Sequence, residues 1–432
     1  MNPTSDTHCR RGLYLAVYLG SLIVGYLYLY FTEEQYIPLG LPVNHTHSSS
    51  ECLNLSQHIL RDDDSVFQRK AGRPYVIDLG FAHGLGHKLE LQMLAMAAGL
   101  RGKGRFVGAL WTAESGSGEH TDMITAAPLL GKLWGGNFSD EAAPELVSAA
   151  RYSPLEDGSC PRRQAGKRVQ GESGVAGATL DEMASFLGEG RLAIICPWFD
   201  KNAGGTPLPG EELMVRKWMR SRIVKEGKGQ SFFVDGTDDI LIAVHIRRGD
   251  LLNRQQHRMT RNHFFVNVVA HVLTELAAKR PAQVVVVSET WRDGGHECSR
   301  EKKLCNHLGQ SVNFEASLRK QVADLGHQYG RWQVRVHLDS DTARSFLTLV
   351  SADLLVLSSS GYSAWAGLLS TGIALYPADA KSQSVMRRMR SQAVSSLPVQ
   401  SGDGWNREAI AREWSRYEEC PARKRIRLAI VR

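Results

Sequence analysis

The residues best suited to chemistry follow an apolar run in the middle of the chain, Ile240-Leu-Ile-Ala-Val-His-Ile-Arg-Arg-Gly-Asp250. Six of the first seven residues are apolar, which is typical of a parallel strand covered on both faces. Arg247 and Arg248 then lie at a strand end, where open α/β sheets bind ligands, and a guanidinium offers phosphate oxygens a fixed fork of donors. The run predicts a phosphate site; a strand followed by a solvated basic turn is the alternative.

A second candidate for binding an anion is the serine-rich stretch Ser358-Ser-Ser-Gly361. It stands between a predicted strand at 353–358 and a predicted helix that begins near Tyr362. Hydroxyls, backbone amides and the positive end of the helix dipole converge at such a position. Ordinary capping of the helix by serine is the alternative, and it explains one of the serines better than all three.

A third candidate is the glycine-rich loop predicted at 80–87, which leads into a helix predicted at 88–100. Such a loop exposes backbone amides to an anion. It is neither a P-loop nor a Gly-x-Gly-x-x-Gly turn, so it supports neither ATP hydrolysis nor a dinucleotide cofactor. His83 and His87 have the spacing of metal ligands on a helix, but the glycines between them make a regular helix, and with it a metal site, a poor prediction.

These stretches resemble three motifs of one enzyme family. His245-Ile-Arg-Arg-Gly-Asp250 matches the His-x-Arg-Arg-x-Asp motif of fucosyltransferases that form α1,2 and α1,6 linkages, and its Arg-Arg-Gly-Asp form is most similar to the α1,2 group. The segment from Asp353 to Trp365 resembles the Asp-x-x-x-x-x-Ser-Ser-x-Ser-x-Trp pattern near the carboxyl end of that family. Gly84-Leu-Gly-His-Lys88 resembles its Gly-Leu-Gly-Asn-Gln stretch, with His87 and Lys88 in place of Asn-Gln.

The resemblance implies an α/β fold of the GT-B kind, with two Rossmann-like lobes. It also implies GDP-β-L-fucose as the donor, a glycan or glycoprotein hydroxyl as the acceptor, inversion to an α-linked product, and no required metal or other cofactor. The most similar group forms an α1,2 linkage to a galactoside. An α1,6- or protein O-fucosyltransferase-like enzyme is one alternative, and a membrane-tethered glycan- or nucleotide-sugar-binding protein without turnover is another.

Roles in sugar transfer can be assigned to the motif residues. Without a metal, fixed cations must stabilise the departing diphosphate, and Arg247 and Arg248 are the candidates. His245 is expected to orient the arginine loop. An inverting transfer also needs a base for the acceptor hydroxyl, for which Glu90 and His87 are candidates by position. Glu90 is alternatively a solvated acid favoured by the helix dipole.

The predicted donor site is larger than these catalytic residues. Asp339 follows another predicted strand and is a candidate for hydrogen bonds to guanine, as is Asp341, for which helix capping is the alternative. The predicted contacts with GDP-fucose are Arg247, Arg248, Asp250, Asp339, Ser358, Ser359, Ser360, Tyr362, Ser363, Gly84, Gly86 and His87. Asp250 is expected to hold an arginine or to cap the turn that follows it.

Strands and helices alternate along the second half of the chain, which predicts right-handed crossovers and a parallel sheet. Predicted strands lie at 283–288, 332–338, 353–358 and 372–376, and predicted helices at 263–278, 315–327, 342–350 and 362–369. In the first half only two strands, at 74–79 and 191–196, and the helix at 88–100 are predicted. The rest of 101–235 has no clear period.

The segment 13–31 contains no charged residue and is just long enough to cross a bilayer as a helix. Arg10 and Arg11 precede it and Glu33 and Glu34 follow it, so the positive-inside rule leaves the short N-terminus in the cytosol. The sequence therefore predicts a single-pass type II protein of the Golgi or another secretory membrane, with a lumenal catalytic body. A cleaved signal peptide is the alternative, although no small-x-small cleavage site follows.

The predicted organisation is a cytosolic tail at 1–12, a transmembrane anchor at 13–31, a stem at 32–70, an acceptor-side lobe at 71–235, a GDP-sugar lobe at 236–390 and a C-terminal extension at 391–432. Sequons at Asn44, Asn54 and Asn137 all follow the anchor, in agreement with a lumenal body. The net charge of +7 is scattered along an exported chain, so a nucleic-acid partner is not predicted.

Six cysteines follow the predicted anchor, an even number that permits three disulfides in an oxidising compartment. Cys298 and Cys305 are the best local pair, because they close a short charged loop. A zinc site that includes His296 and His307 is the alternative, but its spacing is not a common finger pattern.

Overall fold

A computed structural model of the chain describes residues 67, 74–79, 85–111, 122–135, 174–176, 180–181, 184–185, 193–196, 207–234, 239–247, 260–276, 280–288, 313–326, 331–338, 340–377, 396–399 and 407–420. All of them belong to one compact unit, Ser49–Arg432. The predicted anchor at 13–31 and the predicted sequons lie outside the described residues. Within those residues, no helix has the length and apolar composition needed to cross a membrane.

The first half of the chain forms a four-stranded parallel sheet in the order β2-β1-β4-β3. Its strands are β1 (Pro74–Asp78), β2 (Arg105–Leu110), β3 (Gly174–Ala176) and β4 (Ala193–Cys196). The strands predicted at 74–79 and 191–196 are confirmed, whereas β2 and β3 were not predicted.

Among the residues that the structure describes, the longer helices that accompany this sheet are α1 (Leu85–Arg101), α2 (Asp122–Trp134) and α3 (Pro209–Glu226). The predicted loop at 80–87 is wrong for its last three residues, because α1 begins at Leu85 rather than at Lys88. Leu85 and Gly86 are buried, so packing of this turn against the rest of the protein outweighs the low helix propensity of glycine. His87 is consequently helical, contrary to the expectation from the neighbouring glycines.

The second half forms a six-stranded parallel sheet in the order β10-β9-β8-β5-β6-β7. Its strands are β5 (Ile240–Ile246), β6 (Ala282–Ser288), β7 (Trp332–Leu338), β8 (Leu354–Val356), β9 (Ile373–Pro377) and β10 (Ser396–Val399). The α/β class and the parallel sheet are confirmed. The chain order reverses between β5 and β8, which is the position where open α/β sheets form a ligand crevice.

In the described part of the second half, the helices that connect or cover these strands are α4 (Asn262–Glu275), α5 (Phe314–Asp324), α6 (Thr342–Val350), α7 (Gly361–Leu369) and α8 (Arg407–Glu418). Helices were predicted at the first four positions, whereas α8 and β10 were not predicted. The buried Tyr417 of α8 donates a hydrogen bond to Asp353, whose other carboxylate oxygen accepts from the Leu241 amide at 2.8 Å. α8 is thereby fixed at the amino end of β8, the end opposite the ligand crevice.

Strand β5 is buried on both of its faces, between two hydrophobic cores. All seven of its residues are buried. Leu241 and Ala243 contribute to the hydrophobic core that also contains residues of the first sheet, whereas Ile242 and Val244 point into a separate core on the opposite face. Side chains alternate across a strand, so a fully apolar run is what a strand between two cores requires.

The core on the inner face is shared by the two sheets. It contains Ile77 of β1 and Leu89 of α1 together with Leu355 of β8. Trp134 of α2 meets Phe346 of α6 edge to face, with their ring centroids 5.7 Å apart. Helices α1 and α2 therefore pack directly on α6 and α7 through apolar side chains, and this contact positions the ends of both sheets.

Candidate functional site

The candidate site lies at the carboxyl ends of β5 and β8, where the strand order reverses. His245 is the penultimate residue of β5, Arg247 follows that strand directly, and Ser358 lies just beyond β8. Two parallel strands that pair side by side bring their following residues to one edge. The structure thus brings His245 of the first motif and the serine-rich stretch together.

His245 is held by the serine hydroxyls of the neighbouring stretch. Its Nδ1 lies 2.8 Å from Ser358 Oγ and also hydrogen-bonds Ser363 Oγ. The two hydroxyls lie 3.0 Å from each other. All three side chains are buried. A buried polar cluster whose members bond one another fixes both ring and hydroxyls in place.

The N-terminus of α7 opens onto the same point. Ser360 is the N-cap, and its hydroxyl accepts from the Ser363 amide at 3.1 Å. Next to it, at Gly361, no atom of the described residues outside its own helix backbone and chain neighbours lies within 4 Å of the position where a Cβ would stand. The capping alternative is therefore correct for Ser360, whereas the hydroxyls of Ser358 and Ser363 hydrogen-bond the His245 ring. The open space beside Gly361 lies at the positive end of the helix dipole.

The N-terminus of α1 meets the N-terminus of α7 at Gly86. A Cβ on Gly86 would stand 2.4 Å from the Tyr362 amide nitrogen and 2.5 Å from the Gly361 carbonyl carbon. No side chain fits in that space, so only glycine allows this approach. The N-terminus of α1, a helix of the first half, therefore meets the N-terminus of α7, a helix of the second half, beside His245. Both helix N-termini favour a bound anion.

Tyr362 packs beside the histidine. Its ring lies 4.9 Å from the His245 ring and 5.4 Å from Phe346, and its hydroxyl donates to the Thr342 carbonyl at 3.0 Å. The side chain therefore links α7 to the start of α6. Ser359, which was predicted among the donor contacts, is 8% exposed at the same turn.

The remaining predicted residues are placed as follows. Glu90 is half-buried on α1, one turn after Gly86 and on the same helix face, and His87 is half-buried in the first turn. Glu90 lies beyond that first turn, which weakens the alternative of a dipole-stabilised acid. Asp341 caps α6, accepting from the Arg344 amide at 2.7 Å, in agreement with the capping alternative.

Several predictions fall outside the described residues: the donor contacts at Arg248, Asp250, Asp339 and Gly84, and the disulfide between Cys298 and Cys305. Cys420, at the end of α8, is disulfide-bonded. Among the residues that the structure describes, no group of three or more His, Cys, Asp or Glu side chains could hold a metal ion.

Two residues that the sequence did not indicate support the site. Ser288, at the end of β6, donates to the Ile246 carbonyl at 2.8 Å and so holds the β5 end just before Arg247. Arg220 of α3 donates to the last carbonyls of α7. A strand ending in serine is a usable sequence signal, but Arg220 lies in a helix without an apolar stripe and gave none.

A separate aromatic and cationic cluster lies on the edge strand β7. His337 stacks on Phe232 with centroids 3.9 Å apart, and the Arg344 guanidinium lies 4.5 Å from the Phe232 centroid. Burial lowers the pKa of His337, and the nearby positive charges of Arg344 and Arg335 lower it further. Both effects favour the neutral form of the ring where it packs against the segment that joins α3 to β5.

No protein-family model matches the chain, and no curated protein sequence matches it either. Among solved structures, it is similar to Arabidopsis thaliana FUT1 in complex with GDP, at 13% identity over 77% of this chain and 80% of that one, with a TM-score of 0.35. It is also similar to POFUT1 in complex with GDP, at 12% identity over 71% of this chain and 98% of that one, with a TM-score of 0.35.

A third similar structure is an E. coli trehalose-6-phosphate protein bound with UDP-2-fluoro glucose, at 9% identity over 83% of this chain and 94% of that one, with a TM-score of 0.30. Scores this low leave the function to be inferred from the residues of the site itself.

Proposed function

We propose that the chain is an inverting glycosyltransferase that moves L-fucose from GDP-β-L-fucose to a hydroxyl of a glycan acceptor, by an α1,2 linkage to a galactoside. One observation carries the proposal: His245, Ser358 and Ser363 form one buried hydrogen-bonded cluster that joins the end of β5, just before Arg247, to the N-terminal turn of α7. These residues belong to two of the three fucosyltransferase-like motifs, and the fold unites them.

The chemistry of the site fits the departure of a nucleoside diphosphate. Breaking the sugar–phosphate bond leaves negative charge on the diphosphate, and preorganised donors and cations lower the barrier. Arg247, with Arg248 next to it in sequence, supplies guanidiniums. The N-termini of α1 and α7 supply backbone dipoles that meet at Gly86 and Tyr362. No metal or other cofactor enters the proposed mechanism.

The acceptor side of the reaction is assigned to α1. Glu90 lies one turn from the Gly86 contact, about 6 Å along the helix axis, and is the proposed base for the acceptor hydroxyl. Inversion requires that the acceptor hydroxyl attack the face of the sugar opposite the departing GDP. The choice of fucose and of the α1,2 linkage comes from the motif resemblance, and the chain is proposed to work in the Golgi lumen from a single-pass anchor at 13–31.

The test is transfer from GDP-fucose by the full chain, with linkage analysis of the product and GDP binding by calorimetry, each with and without EDTA. We expect a metal-independent α1,2 product. An α1,6 or peptide-linked product would replace the acceptor assignment, and GDP binding without transfer would make the chain a binding protein. Absence of GDP binding would end the proposal.

Arg248→Lys sharpens this test, because lysine keeps the charge but loses the planar fork. We expect turnover to fall about 30- to 1000-fold, as for other preorganised donors to a developing anion. Lys228, which is exposed in the turn after α3 and belongs to none of the motifs, provides a control through Lys228→Arg. Turnover of Arg248→Lys within a few-fold of the wild type would show that Arg248 is only a surface cation.

A further inference from the structure

Helix α7 is held at both of its ends by helices that pack on the first sheet. At its N-terminus, Gly86 of α1 touches the backbone of Gly361 and Tyr362. At its C-terminus, Arg220 of α3 reaches the last carbonyls. The nine residues between span about 13 Å, so the two contacts together fix where the helix lies along its own axis.

The C-terminal contact is unusually complete. Arg220 Nε donates to the Leu369 carbonyl at 3.0 Å, and Nη2 donates to the carbonyls of Leu368 at 2.6 Å and Ser370 at 3.0 Å. A helix leaves its last carbonyls without helical partners, and cations favour that end of the dipole. The guanidinium fork satisfies three carbonyls at once, which a lysine ammonium in the same place cannot do with the same geometry.

Burial shows that this contact is specific rather than a surface pairing. Arg220 is 9% exposed, and Leu368, Leu369 and Ser370 are almost fully buried. Removing a cation from water is costly unless it is well bonded, so the side chain is held in one arrangement. Because α3 also packs against α1 and α2, the arginine ties the carboxyl end of α7 to the helices of the first sheet.

We propose that Arg220 is a positioning residue of the donor site. It sets the position of α7 along its own axis, and thereby the place where Ser363 and the helix N-terminus meet the diphosphate. This inference rests on the proposed function for its ligand. Any axial shift of α7 moves Ser363 relative to His245, and it moves Gly361 relative to the open space beside it. Arg220 acts without touching the donor.

The chain contains a matched control on the same helix. Arg222 donates to the carbonyls of Leu133 at 3.1 Å and Lys132 at 3.0 Å, at the C-terminus of α2. It therefore does for α2 what Arg220 does for α7, but the N-terminus of α2 belongs to no part of the proposed site. A purely stabilising role predicts the same consequences for both arginines, whereas a positioning role separates them.

The experiment compares Arg220→Lys with Arg222→Lys in the full chain, using the melting temperature, the Kd of GDP by calorimetry, and KM and kcat for GDP-fucose. We expect both variants to melt lower. Only Arg220→Lys should weaken GDP binding, by about tenfold, with a matching rise in KM for GDP-fucose. An unchanged Kd in Arg220→Lys, or an equal rise in both variants, would reduce Arg220 to a stabilising residue.

A readout that needs no ligand keeps the two proposals separable. In protein labelled with 15N-histidine, we expect Arg220→Lys to shift the ring resonances of His245 through the displaced Ser363 hydroxyl, and Arg222→Lys to leave them unchanged. If the wild type binds no GDP, the proposed function fails, and these resonances still decide the position of α7. Unshifted resonances would overturn the inference. If the lysine variant does not fold, Arg220→Gln and Arg222→Gln repeat the comparison.

Discussion

At the level of single residues, His245 is the side chain on which the site depends most. Its Nδ1 faces the hydroxyls of Ser358 and Ser363. A hydroxyl both donates and accepts, so this pair can bond the ring nitrogen whether or not it carries a proton. The histidine can therefore keep its orientation beside Arg247 when the charge in the crevice changes.

Gly86→Ala tests the contact between the two helix N-termini. Its Cβ would stand 2.4 Å from the Tyr362 amide nitrogen, which is backbone and cannot swing aside. We expect a loss of about 1 to 3 kcal/mol of folding stability from overpacking, together with weaker GDP binding. Both are measured on purified protein, by denaturant unfolding and by calorimetry.

Gly210→Ala is the control for this substitution, because Gly210 is likewise the second residue of a helix, α3. Apart from its chain neighbours and its own helix backbone, no atom in the part of the chain that the structure describes lies within 4 Å of its Cβ position. Alanine there should be neutral, or stabilising by up to about 1 kcal/mol. Equal behaviour of the two alanine variants would show that the close approach at Gly86 has no energetic consequence.

His337 predicts a pH dependence of stability. Its pKa lies below the ordinary 6.5 of histidine, chiefly through burial and then through Arg344 and Arg335. Above pH 6.5 its contribution to stability is fully present. As the pH falls toward the lower folded-state pKa, the unfolded chain binds the proton first, so stability is lost.

His337→Phe keeps a ring against Phe232 and removes the titration. We expect its melting temperature to fall less steeply than that of the wild type between about pH 7 and pH 5. His263→Asn, at an exposed position on α4, should retain the wild-type slope. A His337→Phe profile parallel to the wild type would show that another group titrates in this range.

At the level of elements, substitution of Asp341 at the N-cap of α6 distinguishes helix capping from a hydrogen bond to guanine. Asp341 accepts from the Arg344 amide, so Asp341→Ala should cost about 1 kcal/mol of stability and leave GDP affinity unchanged. Asp324→Ala, which removes an exposed ion pair with Lys320, should change stability by less. If Asp341→Ala lost GDP affinity without losing stability, the result would favour a hydrogen bond from guanine to Asp341 over the capping role.

The elements also show what the sequence could predict. β5 was identifiable because a strand between two cores is apolar throughout, and α6 and α7 because they carry recognisable caps. α3 was not, because it buries Glu212, Arg216 and Arg220 among its apolar residues and so has no apolar stripe. Its charged side chains pair with groups distant in sequence, such as the carbonyls of α7, and no local pattern reveals such partners.

The site was predictable to the same extent. His245 and the serine stretch were found because His245 lies near the end of a recognisable strand and the serines follow another, and parallel pairing of β5 with β8 brings them together. Which serine bonds the histidine and which caps the helix depends on side-chain contacts between β5 and α7, which the local sequence does not show. The meeting of Gly86 with Tyr362 depends on how the two sheets pack, and periodicity carries no information about that.

At the level of the whole molecule, the shared core predicts cooperative unfolding. Trp134 and Phe346 join α2 to α6 across the two sheets. Phe346→Ala should remove about 3 to 5 kcal/mol of stability and shift one common transition, seen alike by calorimetry and tryptophan fluorescence. Two transitions, of which only one moves, would show that the sheets unfold independently.

The order of the strands has a consequence for synthesis. β5 lies between β6 and β8, and the Asp353 carboxylate that binds the Leu241 amide is 112 residues further along the chain. Until the ribosome has made β8, one edge of β5 has no partner. Its unpaired backbone N–H and C=O groups can then pair with another chain, and its apolar side chains are exposed. We expect the nascent protein to depend on chaperones during this interval, and chains that end before residue 353 to aggregate rather than fold.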